Sequence, residues 1–277
     1  MDRRKVLLLT PLALTRCGPH SGITVGAKNF VEQDILGEIL AKQLASFGVR
    51  KKLHLGGSFV AHEALISGAI DLYPEYTGTA LSACLKLPLT RTGVFETVKK
   101  VYAERYQVEW GWRLGFANTF AMVVKQSEGI RSLSDAVQRK KGWRLGVGYE
   151  FEQRPDGWQS FRKTYPLRTS GELKTMDLGL IYRALANGDV DMVAGNSTDP
   201  ALVDGNFVAL VDDQNFFPPY EACLAVRQDA LQRVSGLRAK LDQLTGKIPV
   251  EQMRKWNAEV SSGRASAESI AAGVTFA

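Results

Sequence analysis

Apolar positions along the chain fall into short runs broken by polar turns, and their period alternates between that of a strand and that of a helix. Ile23-Thr24-Val25-Gly26 reads as a strand, and after Lys28-Asn29 the positions Ile35, Ile39, Leu40, Leu44 and Phe47 recur with helical spacing. Strands are expected at residues 52–55 and 69–73 with a helix at 59–67 between them, an alternation that marks a parallel sheet with crossover helices. An amphipathic helix is expected over 94–106, with Val94, Val98, Val101 and Tyr102 on one face, then a strand at 109–114. Residues 116–124 begin polar and end apolar, and carry the chain across to a second lobe. There Ser134 is placed to cap a short helix, strands are expected at 143–147, 190–194 and 207–211, and residues 148–157 form a long polar loop. Helices follow from Gly157-Trp158 to Pro166 and over 179–187. A strand at 222–226 returns to the first lobe, and the remainder reads as helices at 231–244, 250–260 and 265–272 that pack on the first sheet.

One stretch occurs twice. Ala64-Leu65-Ile66-Ser67-Gly68-Ala69-Ile70-Asp71-Leu72 leads into Tyr73-Pro74-Glu75-Tyr76-Thr77-Gly78-Thr79. Its counterpart, Ala184 to Thr198, repeats the Ala-Leu pair, the helix-ending Gly188 and the apolar-Asp-apolar strand around Asp191. Two lobes of similar build are implied. Ligands of open α/β sheets sit beyond the carboxyl ends of the strands, so residues 73–79 read as a binding loop in a cleft between lobes.

A length of 277 residues with 45% hydrophobic content suffices for two domains or one large one. The net charge of +6 owes much to Arg3, Arg4, Lys5 and Arg16, which face only Asp2 in residues 1–16. No case for nucleic acid remains, since its binders concentrate Lys and Arg on one face. Arg50-Lys51-Lys52 reads as a solvated strand edge. Residues 1–17, basic and then apolar up to Cys17, read as an export signal too short to span a membrane. The mature protein is therefore expected in the periplasm or at the outer face of the cytoplasmic membrane. Leu14-Thr15-Arg16-Cys17 is similar to a bacterial lipobox, whose cysteine becomes a lipid anchor, although Arg16 stands where a small residue is usual. Cys84 and Cys223 leave two readings open: one disulfide in an oxidising compartment, or two buried thiols acting as small hydrophobes.

Catalytic chemistry is poorly supported. The histidines are His20, His54 and His62, and no nucleophile-elbow motif accompanies them. No Cys/His spacing suits zinc, no loop resembles a calcium site, and no phosphate-binding Gly-Lys-Thr loop is present. Gly146-Val147-Gly148 lacks the rest of a dinucleotide fingerprint. No cofactor or metal is expected, and the remaining polar residues suit a binding site. Asn29 and Glu32 have capping-box spacing, which puts Lys28 before a helix N-terminus, where an anion is favoured.

Lys28-Asn29-Phe30-Val31-Glu32-Gln33 with Ile35-Leu36-Gly37-Glu38, then Tyr73 to Thr79, resembles the osmoprotectant-binding proteins of ABC importers, which bind glycine betaine, choline, carnitine and related compounds. Asn118-Thr119, Arg154-Pro155-Asp156-Gly157, Ser197-Thr198-Asp199, and Asp212-Asp213 with Phe217-Pro218-Pro219-Tyr220 follow in the family's order, over residues 22 to about 275. The resemblance implies an α/β, two-lobed, type II periplasmic-binding-protein fold with the ligand cleft between lobes and two crossing strands as hinge. Lobe 1 would hold residues 22–118 and 219–277, and lobe 2 residues 119–218. It also implies an aromatic box for a quaternary ammonium, which has no N–H to donate and is held by ring faces, and separate donors for a ligand carboxylate.

Residue by residue, Tyr76 and Tyr220 match two walls of the box, and Phe120 stands at a third where Tyr is usual. Asn196 stands where a fourth aromatic is common, which opens the cage and offers an amide to a polar ligand group. Lys28, Thr79 and Arg154 match the positions that hold the carboxylate, and Asn118 lies beside the cage. Against these stand plainer readings: a surface salt bridge of Arg154 with Glu150 or Asp156, an aromatic Tyr220 tucked into the hinge, packing for Tyr73, and a Glu75 facing solvent or the permease. The function implied is a non-enzymatic receptor that delivers such a solute to an ABC permease and ATPase on separate chains. Ergothioneine, a more polar zwitterion, is the alternative ligand that Asn196 suggests. A ligand-sensing domain or an enzyme on the same fold are the alternatives of other classes.

Overall fold

The computed structural model describes residues 22–276. The export signal and Cys17 lie outside the described residues. Ten strands are present there: β1 (Ile23–Gly26), β2 (Val49–Lys52), β3 (Leu72–Tyr76), β4 (Val108–Gly111), β5 (Phe120–Lys125), β6 (Leu145–Val147), β7 (Lys174–Thr175), β8 (Met192–Asn196), β9 (Phe207–Ala209) and β10 (Ala222–Arg227). They form two five-stranded sheets, in the orders β2-β1-β3-β10-β4 and β7-β6-β8-β5-β9. The chain passes from the first sheet to the second after β4 and returns at β10. The two passages touch, through an antiparallel bridge between Ala117 and Glu221 and an Asn118 N–H to Tyr220 carbonyl bond.

The repeated stretch builds the same unit twice. β3 and β8 each lie third in their sheet, parallel to β1 or β6 on one side and antiparallel to β10 or β5 on the other. Each follows a helix, Ser58–Ile66 or Leu178–Asn187, and each approach turns on a glycine, Gly68 or Gly188, at φ +78°, where a β-carbon would be strained. The N–H of Ile70 reaches the Ala64 carbonyl, and that of Val190 the Ala184 carbonyl. The shared aspartate then ties the strand to its parallel neighbour. Asp71 accepts from the Thr24 N–H at 2.6 Å and donates its own N–H to Thr24, while Asp191 does the same with Arg144 at 3.0 Å.

Several expected boundaries shift. β2 starts at Val49 rather than 52, because its register pairs Ile23 with Val49, and Arg50 to Lys52 form the solvated sheet edge. β3 runs through Pro74 to Tyr76 instead of opening into a loop at residue 73. Proline is tolerated because pairing with β1 ends at Leu72, so that flank of β3 has no ladder to break. Helix Val31–Gln43 begins at Phe30 with no side-chain cap, so the Asn29–Glu32 capping box does not form. Ser132, not Ser134, caps Leu133–Gln138, in a capping box with Asp135. The polar loop of 148–157 contains a short helix, Tyr149–Gln153. The 231–244 helix is broken into Gln228–Arg233 and Leu237–Asp242 by a turn at Gly236. Helices Val250–Ser261 and Ala267–Gly273 pack on Val31–Gln43 over the first sheet. Cys84 and Cys223 are free thiols, and burial pushes Cys84 up to about 12. Among the described residues no helix is long and apolar enough to cross a membrane.

Candidate ligand-binding site

Strand ends of both sheets converge on a cavity of about 480 Å³. Lys28 follows β1, Tyr76 ends β3, and Thr79 closes the helical turn behind it. Asn118 comes from the outgoing passage, Phe120 begins β5, and Tyr220 comes from the returning passage. Arg154 follows helix Tyr149–Gln153, and Asn196 ends β8. All eight residues line this one space. Tyr76 and Asn196 occupy corresponding positions of the repeated unit.

The two cations are already engaged. The Lys28 ammonium lies 2.6 Å from Glu75 Oε1, with both side chains buried, and 3.4 Å from Ser58 Oγ. Glu75, expected to face solvent or a partner, is fully buried, and also accepts from the Tyr73 hydroxyl and the Tyr76 N–H. Arg154 donates Nε and Nη2 to Asp156 at 2.9 and 2.6 Å, Nη1 to Glu150 at 3.2 Å and Nη2 to Thr79 Oγ1 at 3.2 Å. The ion pairs with Glu150 and Asp156 therefore exist, but Arg154 is buried, and they are not a surface feature. Burial works to raise Asp156, and the Arg154 charge, its hydrogen bonds and the Tyr220 hydroxyl together bring it below the ordinary carboxylate range.

Ring faces surround these cations. Lys28 Nζ stands 4.7 Å from the Tyr76 ring centroid and the Arg154 guanidinium 4.6 Å from that of Phe120. Phe120 meets Phe151 and Tyr220 edge-on at 5.1 and 6.1 Å. Gly78 lets the Tyr220 ring approach, since a β-carbon there would lie 2.7 Å from it.

Sequence reasoning named Glu150 and Asp156 as partners of Arg154 but placed them on the surface, and it missed the role of Glu32. Glu32 is 2% exposed and accepts from Tyr76 Oη at 2.5 Å, Asn118 Nδ2 at 2.9 Å and Asn257 Nδ2 at 3.0 Å. Burial and the Glu32 charge raise the Tyr76 phenol well above its usual range. Asn257 also donates to the Thr198 carbonyl, joining helix Val250–Ser261 to the segment after β8. Glu150 reaches across the cleft to the first turn of helix Ser58–Ile66, where the Ser58 N–H donates to it at 2.6 Å. Phe30, Tyr149, Phe151, Met176, Asp177 and Leu178 also line the cavity, and Tyr149 is 61% exposed at its mouth. Behind Asn196, Asp199 accepts from the Asn196 N–H and from Tyr182 Oη, each at 2.7 Å, and burial pushes its carboxyl up to about 6.

Residues 21–273 match the family described as the substrate binding domain of ABC-type glycine betaine transport systems. The chain belongs to that family. It is 33% identical over 291 residues to the carnitine transport binding protein OpuCC of Listeria monocytogenes, covering 96% of this chain and 92% of that protein. It is 32% identical over 245 residues to the ergothioneine transport permease/ergothioneine binding protein EgtU of Helicobacter pylori, covering 86% of this chain but only 44% of that protein's length. Among solved structures, that of a glycine betaine/carnitine/choline ABC transporter protein superposes with a TM-score of 0.75 at 27% identity, covering 90% of this chain and 96% of the other. The fold is thus the two-lobed type II binding-protein fold of this family.

Proposed function

We propose that the protein is a non-enzymatic extracytoplasmic receptor that captures a small quaternary-ammonium solute, such as glycine betaine, choline or carnitine, and delivers it to an ABC permease with its ATPase. The observation that carries this reading is the cavity itself: the rings of Tyr76, Phe120 and Tyr220, from the end of β3, the start of β5 and the returning passage, line a space of about 480 Å³. A trimethylammonium group donates no hydrogen bond, and ring faces are its main specific attraction. The family match and the names of the relatives support the same reading. Lys28, Thr79, Asn118, Arg154 and Asn196 complete the proposed ligand shell. Residues 22–118 and 219–277 would move as one lobe against 119–218 as the other. We assign Cys17 as a site of lipidation, and retention at the membrane should be lost in Cys17→Ser.

Asn196 favours a second ligand, ergothioneine, whose ring could bond the amide, and the relative named for ergothioneine supports this choice. Calorimetric titration with glycine betaine, choline, carnitine, proline betaine and ergothioneine tests both. Saturable one-to-one binding of at least one is expected. Flat titrations for the whole panel would overturn the quaternary-ammonium reading.

A further inference from the structure

The corresponding helices of the repeated unit begin in different ways. Helix Leu178–Asn187 starts after Asp177, whose carboxylate caps it from within by accepting from the Gly179 N–H at 2.8 Å. Counted back from the helix-ending glycines Gly188 and Gly68, Asp177 corresponds to Gly57, which stands before helix Ser58–Ile66 and has no side chain to cap with. The cap of this helix comes from the other lobe. Glu150 Oε1 accepts from the Ser58 N–H at 2.6 Å and Oε2 from the Ser58 hydroxyl at 3.2 Å. Glu150 lies on the short helix after β6, beside the second sheet, and Ser58 starts the helix between β2 and β3 of the first. Gly57 has an ordinary φ of −79°, so its backbone does not require glycine. The three atoms nearest to a β-carbon there would all belong to Glu150, with Oε1 at 2.4 Å. The missing side chain is the space through which the carboxylate enters. Arg154 Nη1 donates to the same carboxylate at 3.2 Å and aims it from its own lobe. Burial works to raise Glu150, and Arg154, Lys28 and the Ser58 N–H together bring it below the ordinary carboxylate range, so it is a charged acceptor at neutral pH.

We infer that Glu150 caps helix Ser58–Ile66 from across the cleft and so acts as a latch between the lobes: closing the cleft completes the helix terminus, and opening it leaves the first turn uncapped. The inference rests on the proposed motion of residues 119–218 against the rest of the chain. A carboxylate on an N–H at the positive end of a helix is among the stronger hydrogen bonds, which suits a contact that must hold two bodies together. The contacts of helix Val250–Ser261 with the second lobe are of another kind. Arg254 donates to the Ser197 carbonyl and Asn257 to the Thr198 carbonyl, next to the outgoing passage, where Thr119 and Ser197 are bonded to each other. These are placed to persist when the lobes turn about the passages, whereas the Glu150–Ser58 contact joins two helices that belong to neither passage.

Two readouts test the latch on the purified protein, alone and with glycine betaine: hydrogen exchange at the Ser58 amide by NMR, and the radius of gyration by small-angle X-ray scattering. In Glu150→Ala the Ser58 amide should exchange about tenfold faster or more, the scale of one charge-assisted bond, while the Gly179 amide, capped by Asp177, keeps its rate. The radius of gyration should rise. Gly57→Asp separates a latch from a simple cap, because an aspartate there can cap the first turn from within, as Asp177 does, while its β-carbon and charge exclude Glu150. Its radius of gyration should rise as well, with thermal melting used to verify that both variants are folded. Equal Ser58 exchange in the parent and Glu150→Ala, in both conditions, would overturn the contact itself. Faster exchange with an unchanged radius of gyration in both variants would make Glu150 a helix cap and nothing more, and would overturn the latch. Either result leaves solute capture standing, since the calorimetric panel decides that independently.

Discussion

The ends of β3 and β8 are built on one plan and do different chemistry. Both follow a glycine-terminated helix, both are pinned by an aspartate to the parallel neighbour, and both put the last strand residue into the cavity. At the first end stands Tyr76, 3% exposed, its hydroxyl fixed by Glu32 and Gln33 and its ring under Lys28. At the second stands Asn196, half-buried, its backbone held by Asp199 and its side chain an amide. The scaffold is therefore shared while the walls are not: the first lobe brings an aromatic ring within a bonded charge network, and the second brings an amide backed by Asp199 and Tyr182.

If the Tyr76 side is the fixed wall, removing it should cost most. Tyr76→Ala should weaken binding of a quaternary ammonium by about 2 kcal/mol, the value of a desolvated cation–π contact, and calorimetry would read this as roughly thirtyfold. It also strips Glu32 of one donor, so the melting temperature should fall. Retained affinity would mean that the two strand ends contribute alike.

The second end is sterically exacting just before Asn196. A β-carbon at Gly195 would lie 2.3 Å from Tyr182 Oη and 2.6 Å from Asp199 Oδ2. Gly195→Ala should destabilise the fold by about 2 kcal/mol, measurable by chemical denaturation, because the displaced atoms are hydrogen-bonded to each other. Stability equal to the parent would show that this wall yields, which would sharpen the contrast with Gly78 beneath Tyr220.

The supports should also differ in pH response. Asp199 titrates near 6 in the folded protein against an ordinary 3.8, so the native state holds its proton more tightly than the unfolded chain. Its contribution to stability is fully present below about pH 3.8 and is lost as pH rises through about 6. Asp34 is raised to about 6 as well, so the comparison that isolates Asp199 is with Asp199→Asn. Relative to that variant, the parent should lose about 1–2 kcal/mol between pH 4 and 6.5 in denaturant titrations. Parallel pH profiles would place the origin elsewhere.

The smallest effect is expected from refitting the second end. Asn196→Tyr supplies the missing ring and should tighten choline by about 1 kcal/mol, with a weaker gain or a loss for ergothioneine. A gain for both would show that the amide selects nothing.

Much of this was legible in the chain. The Gly68/Gly188 and Asp71/Asp191 correspondences carried the two-lobed plan, because a helix stop and a strand anchor each demand a particular residue. The eight proposed site residues meet in one cavity because most of them lie at strand ends or on the passages between the sheets, with Thr79 and Arg154 brought there by short helical turns. What stayed hidden was pairing between distant segments. Glu32 has the spacing of a helix cap, and only its contact with Tyr76, Asn118 and Asn257 shows it as a hub. Glu150 and Glu75 look like surface charge until the fold brings Ser58 and Lys28 to them. Residues 73–79 read as a binding loop, and only the pairing of Tyr73 to Tyr76 with β10 shows that the strand runs on through Pro74.

Cation recognition by the ring-lined cavity is tested most directly by titrating choline and its uncharged carbon isostere, 3,3-dimethyl-1-butanol, into the same protein. The two have nearly the same shape and differ in the central charge. Choline binding at least about tenfold tighter is the expected result, since ring faces act on that charge alone. Equal affinity would mean that the cavity reads only shape and apolar area, and would contradict the account at its centre.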